Sequence, residues 1–248
     1  MTRIAIDSDY LDFYDHAFYS PYNADIVWER RCSRGMSKRK QFAFLEQQGL
    51  KTPNHGTVAE VYQKIRKDYF LSKGLFHKSA RNLAAVIVYL DEYAHRGLGK
   101  LRVSIELALD QYPNKYCSEF IQTTPSCDSV SYRYLQVGKK SFWLRYTGHD
   151  SWMSNHAEDV EVECLCANED KFKFGVDCPV FAIDFIPGRA LYAIDFNTAP
   201  GFKETGIPLK DPHEIYDLVE EWYHERSLAT PGISTLRPAL PKKEEVNA

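Results

Sequence analysis

Two apolar runs near the C-terminal end of the chain predict a β-hairpin. Residues 180–186 and 190–197 are rich in Ile, Phe and Ala, and a Pro-Gly pair lies between them. Because side chains alternate along a strand, Asp195 and Asn197 share one face of the second strand. Asp184, near the middle of the first strand, can face them across the pair. The pattern therefore predicts three oxygen-bearing side chains close together.

This arrangement suggests a metal site. Two buried carboxylates that face each other repel and lose their hydration. A divalent cation removes both costs. Three oxygen ligands, two of them charged, without His or Cys, suit Mg²⁺ or Mn²⁺ rather than zinc. Strand-end acids that make surface hydrogen bonds remain the other explanation of the same spacing.

Hydrophobic periodicity and turn signals predict further elements along the chain. Ser37 is the predicted N-cap of the first helix, and Gly49 is its predicted stop. Helices are predicted at residues 37–48, 58–67, 101–111 and 212–226. Strands in addition to the hairpin are predicted at residues 3–7, 24–28, 68–73, 84–90, 115–122, 130–137, 140–146 and 159–167.

Composition excludes several classes of protein. The chain has 248 residues, of which 44% are hydrophobic and 26% charged, so it can bury a normal soluble core. Its net charge of −3 argues against nucleic-acid binding driven by bulk charge. The six cysteines lack the paired spacing of a zinc site and suit a reducing cytoplasm. The sequence has no secretory signal pattern, and no apolar run approaches the length of a membrane span.

The C-terminal pattern resembles a known family. An acid in an apolar strand, a short hairpin and then acid-x-Asn-x-x-Pro-Gly is similar to the metal-binding end of the ATP-grasp ligases. The resemblance implies an α+β fold in which two α+β subdomains grip ATP. It also implies Asp184, Asp195 and Asn197 as ligands of Mg²⁺ or Mn²⁺. The family usually has Glu at the position of Asp195, and the shorter side chain reduces the reach for bidentate binding.

The same resemblance implies three lysines as contacts of the nucleotide phosphates. Lys38 lies at a helix start, ahead of Leu-x-x-x-Gly-x-x-x-Pro. Lys73 matches a lysine that ends a strand before a glycine-rich loop, and Lys78 lies in that loop. The family loop has several glycines, whereas this one has Gly74 alone. Solvated basic side chains remain the other explanation for each lysine.

A hinge for adenine is also implied. Glu119-Phe120-Ile121 is similar to the family segment in which backbone groups after a Glu bind the purine edge. Asp128 matches an acid that takes the ribose hydroxyls. Such a hinge is a strand edge that offers N–H and C=O groups to a flat heterocycle. Taken alone, the pattern describes an ordinary strand.

Catalytic roles are implied for Arg133, Arg145 and Asn155. One arginine lies on each strand of a predicted hairpin, and a Trp-x-x-Asn sequence follows. This order resembles the branch of ribosomal-protein glutamate ligases and glutathione synthetase, in which the arginines bind the reacting phosphate. Fixed guanidinium donors suit the anionic oxygens of such a reaction. Paired surface charges on a hairpin are the alternative.

Together these features predict a reduced N-terminal segment at residues 1–36, an ATP-grasp domain at 37–226 and a mobile tail at 227–248. The implied reaction uses ATP and Mg²⁺ to activate a carboxylate as an acyl-phosphate and join it to an amine. A small-molecule kinase and a degenerate nucleotide-binding module are the alternatives. The substrates are left open among small molecules, peptides and protein side chains, as is a homo-oligomeric state. We expect a cytoplasmic protein without a membrane partner.

Overall fold

The computed structural model describes residues 4–6, 26–28, 36–73, 84–93, 98–154, 157–169, 174, 176, 178–198, 200–202, 205–209 and 212–229. The strands are β1 (Ile4–Ile6), β2 (Ile26–Trp28), β3 (His55–Thr57), β4 (Ala85–Tyr89), β5 (Lys100–Ser104), β6 (Tyr116–Glu119), β7 (Ser129–Val137), β8 (Lys140–Gly148), β9 (Val160–Glu169), β10 (Val180–Pro187) and β11 (Leu191–Asn197). The helices are α1 (Lys38–Gln47), α2 (Val58–Lys73), α3 (Ile105–Gln111) and α4 (Pro212–Ala229). The fold is α+β, as predicted.

The larger of the two main sheets has five antiparallel strands in the order β11-β10-β7-β8-β9. Both predicted hairpins are present in it, β7–β8 and β10–β11. One face packs against α4, with Leu135 and Leu144 beside Ile215 and Val219. Burial on both faces explains why β10 is apolar at almost every position.

The smaller main sheet is also antiparallel, with the order β3-β6-β4-β5. Helices α2 and α3 cover one face, where Val58 and Ile105 pack against Val86 and Val88. On the other side, Ile87, Tyr89 and Tyr116 belong to a core cluster shared with α1 and with the larger sheet. Helix α1 therefore lies between the two sheets, with Phe42 and Leu45 fully buried.

Two predicted elements differ from the structure. Residues 68–73 were expected as a strand but continue α2, because Val58, Val61 and Ile65 recur at helical spacing and neither Gly nor Pro interrupts the helix before Gly74. Residues 101–111 were expected as one helix but are divided between β5 and α3. The alternating Leu101 and Val103 suit a strand that pairs with β4, and Ser104 caps α3.

At the N-terminal end, β1 and β2 form a parallel pair at the two places predicted for strands. At the C-terminal end, α4 runs to Ala229, past the predicted limit at residue 226. The rest of the predicted mobile tail lies outside the described residues. Within the described part of the chain, every helix is too short or too polar to cross a membrane.

Gly138, in the turn between β7 and β8, is a position where a side chain should be costly. Its φ is +56°, and a Cβ would come within 2.5 Å of the Leu218 backbone oxygen on α4. We expect Gly138→Ala to destabilise the fold by about 2 to 4 kcal/mol through backbone strain and overpacking. Gly49→Ala is the matched control, because φ is +75° there but a Cβ would meet nothing within 4 Å. Urea unfolding measures both, and equal losses would show that the contact with Leu218 costs nothing.

Candidate active site

A β-bulge brings together the two acids of the C-terminal hairpin. Asp184 pairs with Asp195, and the register shifts by one residue beside Asp184, with Ile194 as the extra residue. Without the bulge, Asp195 would lie opposite the fully buried Ile183 and face the apolar core. The bulge therefore turns Asp195, and Asn197 two positions later, to the face of Asp184.

Asp184 is buried and forms a bidentate ion pair with Arg133 of β7. The Arg133 Nε donates to Asp184 Oδ1 at 2.6 Å, and Nη2 donates to Oδ2 at 2.9 Å. The remaining Nη1 donates to the Tyr146 hydroxyl at 3.4 Å. Burial alone would lower the pKa of Arg133, but the Asp184 carboxylate outweighs it and raises that pKa. A charged guanidinium is thus fixed beside the candidate metal ligands.

Asp195, whose side chain is partly exposed, forms a second ion pair, with the buried Lys38 in the first turn of α1. The Lys38 ammonium donates to Asp195 Oδ1 and also to Gln41 Oε1, the latter at 3.2 Å. Burial would raise the pKa of Asp195, but the Lys38 and Lys100 ammonium groups outweigh it and hold the pKa below its ordinary value. Burial would lower the pKa of Lys38, but Asp195 outweighs it and raises that pKa. Both partners are therefore charged.

Lys100 is a third cation of this group, and the sequence analysis did not identify it. It begins β5 and pairs with Tyr89 at the end of β4. Burial and then the charge of Lys38 lower the pKa of Lys100, while Asp195 and Asp184 act in the opposite direction. Lys100 therefore lies within electrostatic range of the two ion pairs of the site.

Tyr89 completes this side of the site. It is 5% exposed, and its hydroxyl shares a hydrogen bond of 3.1 Å with Ser118 Oγ. The Lys38 Nζ lies 5.9 Å from its ring centroid. The sequence did contain a signal for this pairing. Gly97 and Gly99 are typical of a turn, and they lie between β4, which ends at Tyr89, and β5, which begins at Lys100.

The predicted hinge follows β6, which ends at Glu119. The Phe120 N–H donates to the Ala85 carbonyl at 2.9 Å. Among the described residues, the Ile121 N–H donates to no acceptor, so it is available to a ligand. The β10–β11 turn lies against this segment, since a Cβ on Gly188 would come within 2.7 Å of Ile121 Cγ2. The hinge and the hairpin are thus in direct contact.

A cavity of about 660 Å³ borders the hinge. The Asn54 Nδ2 donates to Glu119 Oε2 at 2.8 Å and to Asp68 Oδ2 at 3.1 Å on one wall. On another wall the Lys51 Nζ lies 5.0 Å from the Tyr192 ring centroid. The volume is in the range of pockets for small organic molecules.

Arg145 does not join the group of ion pairs. It follows Leu144, which pairs with Arg133, so alternation along β8 turns Arg145 to the opposite face of the sheet. It is exposed there and pairs across the strands with Glu163. The structure therefore places Arg133, and not Arg145, beside Asp184.

The remaining predicted residues lie away from the group or outside the described part. Asp128 is half-buried and accepts a hydrogen bond of 3.1 Å from the Asp150 N–H. Lys73 ends α2 instead of a strand, and its side chain is outside the described part. Lys78 and Asn155 also lie outside the described residues. Their predicted roles stay predictions.

The donor set of the hairpin fits a hard cation. Among the described residues, no three His, Cys, Asp or Glu side chains converge as metal ligands. The candidate set is instead two carboxylates and one amide, from Asp184, Asp195 and Asn197, on one face of the hairpin. Oxygen donors of this kind suit Mg²⁺ or Mn²⁺. Lys38 and Arg133 balance the two carboxylates in the structure described here.

Comparison with known proteins found similar solved structures only. No protein-family model matches the sequence, and no curated protein matches it. D-alanine–D-alanine ligase from Bacillus anthracis is 11% identical, with a TM-score of 0.41, over 78% of this chain and 69% of that chain. The ATP-grasp ligase PsnB, complexed with a minimal precursor, is 14% identical, with a TM-score of 0.48, over 80% and 64%.

A further similar structure is a RiPP-associated ATP-grasp ligase from Chryseobacterium gregarium in complex with ADP and a leader and core peptide. It is 13% identical, with a TM-score of 0.46, over 82% of this chain and 65% of that chain. This chain thus spans between 64% and 69% of the length of these three proteins. Two of these three similar structures are described as ATP-grasp ligases.

Proposed function

We propose that this protein is an ATP-dependent ligase that uses Mg²⁺ (or Mn²⁺) to join a carboxylate to an amine, with ADP and phosphate as products. The observation that carries the proposal is the partly buried group of two carboxylates and three cations where the sheets approach each other. Such a concentration of charge costs desolvation energy that stability alone does not require. It suits a ligand with several negative charges.

Each residue of the group has a role in this proposal. Asp184, Asp195 and Asn197 would hold the metal, which would supply positive charge against the negative charge of the ATP phosphates. Lys38 and Lys100 would bind phosphate oxygens as point charges. The residues therefore contribute positioning and charge stabilisation.

Arg133 would act on the reacting group in this proposal. In the proposed reaction a carboxylate oxygen attacks the γ-phosphorus. The bond between the γ-phosphorus and the bridging oxygen breaks, and ADP leaves with that oxygen. An amine nitrogen then attacks the acyl carbon, phosphate leaves, and the nitrogen loses a proton. Negative charge on oxygen grows in both steps, and a fixed guanidinium beside Asp184 can stabilise it.

A screen for ADP release over carboxylates and amines, with mass spectrometry of the products, tests this function. We expect ADP, phosphate and an amide. AMP with pyrophosphate would contradict the acyl-phosphate chemistry. ADP with a stable phosphorylated product and no amide would favour a small-molecule kinase.

Lys100 is expected to contribute to nucleotide affinity. Lys100→Met removes a charged donor while keeping most of the side-chain volume, so Mg-ATP affinity should fall about tenfold. Lys67→Met is the matched control, because Lys67 is exposed on α2. Isothermal titration with Mg-ATP measures both variants. An unchanged affinity of Lys100→Met would remove Lys100 from the proposed site.

A further inference from the structure

His55, the first residue of β3, makes contacts that the proposed chemistry does not use. Its Nε2 lies 2.8 Å from Glu46 Oε1, and its Nδ1 lies 2.8 Å from the Tyr116 hydroxyl. A carboxylate only accepts, so Nε2 carries a proton and donates to Glu46. Burial raises the pKa of Tyr116, so its hydroxyl keeps its proton, and the direction of its bond with Nδ1 depends on the tautomer of His55. Both ring nitrogens are therefore bonded.

These contacts hold one side of α1. The ring of His55 stacks on Phe42, with centroids 4.6 Å apart and planes inclined by 11°. The Arg39 guanidinium lies 4.7 Å from the Tyr116 ring centroid. Arg39, Phe42 and Glu46 follow one another at three- and four-residue intervals, which places them on one face of the helix. His55 and Tyr116 thus form the part of the small sheet on which α1 rests.

The same helix carries Lys38 at its first position. The Lys38 N–H donates to the Glu92 carbonyl at 2.8 Å, which ties the start of α1 to the segment after β4. On the opposite side, Phe44 packs against Phe196 of the metal-site hairpin, with centroids 4.6 Å apart. The placement of the Lys38 ammonium beside Asp195 therefore depends on how α1 sits between the two sheets.

We propose that His55 is a positioning residue that acts through Lys38. By joining Tyr116, Glu46 and Phe42, it fixes the position of α1, and so holds the Lys38 ammonium where nucleotide phosphates bind. This inference rests on the proposed function for its ligand. Beyond that function, the inference assigns an effect on phosphate affinity to His55, which lies on the far side of α1 and outside the group of ion pairs.

The test variant is His55→Phe, which keeps an aromatic ring on Phe42 and loses both hydrogen bonds. We expect the affinity for Mg-ATP to fall about tenfold, as is typical when a residue that orients a binding group is lost. Adenosine, which has no phosphate, should bind as it does to the unaltered protein. Equal losses for both ligands, or no loss for either, would overturn the positioning role.

Three further variants keep the test decisive if His55→Phe does not fold. Tyr116→Phe removes the hydroxyl bonded to His55 and should also weaken Mg-ATP selectively. Its matched control, Tyr62→Phe, removes a hydroxyl from a ring packed in the separate core under α2 and should leave ATP affinity unchanged. In a protein that already carries Lys38→Met, adding His55→Phe or Tyr116→Phe should lower the Mg-ATP affinity little further, because both residues act through Lys38. Fully additive losses would contradict that route.

Failure of this inference and failure of the proposed function give different results. If the unaltered protein binds no Mg-ATP in the titration, the proposed function is wrong. If it binds Mg-ATP but Tyr116→Phe and His55→Phe bind it equally well, the function stands and His55 has a structural role alone.

Discussion

Asp195→Asn is expected to lower the affinity for Mg-ATP by about a hundredfold or more, because it removes a charged metal ligand while keeping the side-chain shape. The loss should disappear when ATP is titrated without Mg²⁺ or Mn²⁺, since the change acts on the metal. The bulge at Ile194 orients this side chain, so a neutral amide there meets the same neighbours. Isothermal titration with and without the metal measures the difference.

The control for this variant is Asp217→Asn, which changes an exposed acid on α4. Asp195→Asn also leaves Lys38 buried without its partner, so thermal unfolding must accompany the titration. If Asp195→Asn is folded and binds Mg-ATP like the unaltered protein, the metal site lies elsewhere.

Arg133→Lys is expected to lower turnover about a hundredfold, equivalent to about 3 kcal/mol of transition-state stabilisation. Lysine keeps the positive charge but loses the two-pronged geometry that now engages both oxygens of Asp184. Because the effect belongs to the transition state, Mg-ATP affinity should change only a few fold. Steady-state kinetics together with titration separate the two effects.

Arg145→Lys decides between the two arginines. The resemblance to known ligases implies a catalytic role for Arg145, whereas the structure places it exposed on the opposite face of the sheet. We expect turnover to fall for Arg133→Lys and to stay near its original value for Arg145→Lys. The reverse result would restore the sequence-based assignment and remove Arg133 from the chemistry.

The parts of the fold that rest on local patterns could be predicted from the sequence. The hairpin at 180–197 and the β7–β8 hairpin have strong turn signals between apolar strands, and Ser37 caps α1 as expected. Asp184, Asp195 and Lys38 were identified as candidate residues, and the structure brings them together. Alternation, which the sequence displays directly, places Asp195 and Asn197 on one face of β11, but the bulge that brings Asp195 opposite Asp184 is not visible in the pattern.

Other parts depend on tertiary contacts that local patterns do not show. Lys100 reaches the site because β5 pairs with β4, and the same residues are equally compatible with a helix. The face of Arg145 is set by strand register, since a shift of one residue would reverse it. His55 gains its role only when α1 lies on the small sheet. In each case long-range pairing decides the outcome.

A sequence search that counts positions outward from the β10–β11 turn would reject this hairpin. Strict alternation pairs Asp184 with Ile194 and leaves Asp195 opposite an apolar residue, although the two carboxylates do face each other. The single extra residue on the second strand therefore hides the acid pair from any search that infers strand pairing by strict alternation. Profiles that tolerate one inserted position between the turn and the second acid would recover distant relatives of this chain that fixed patterns omit.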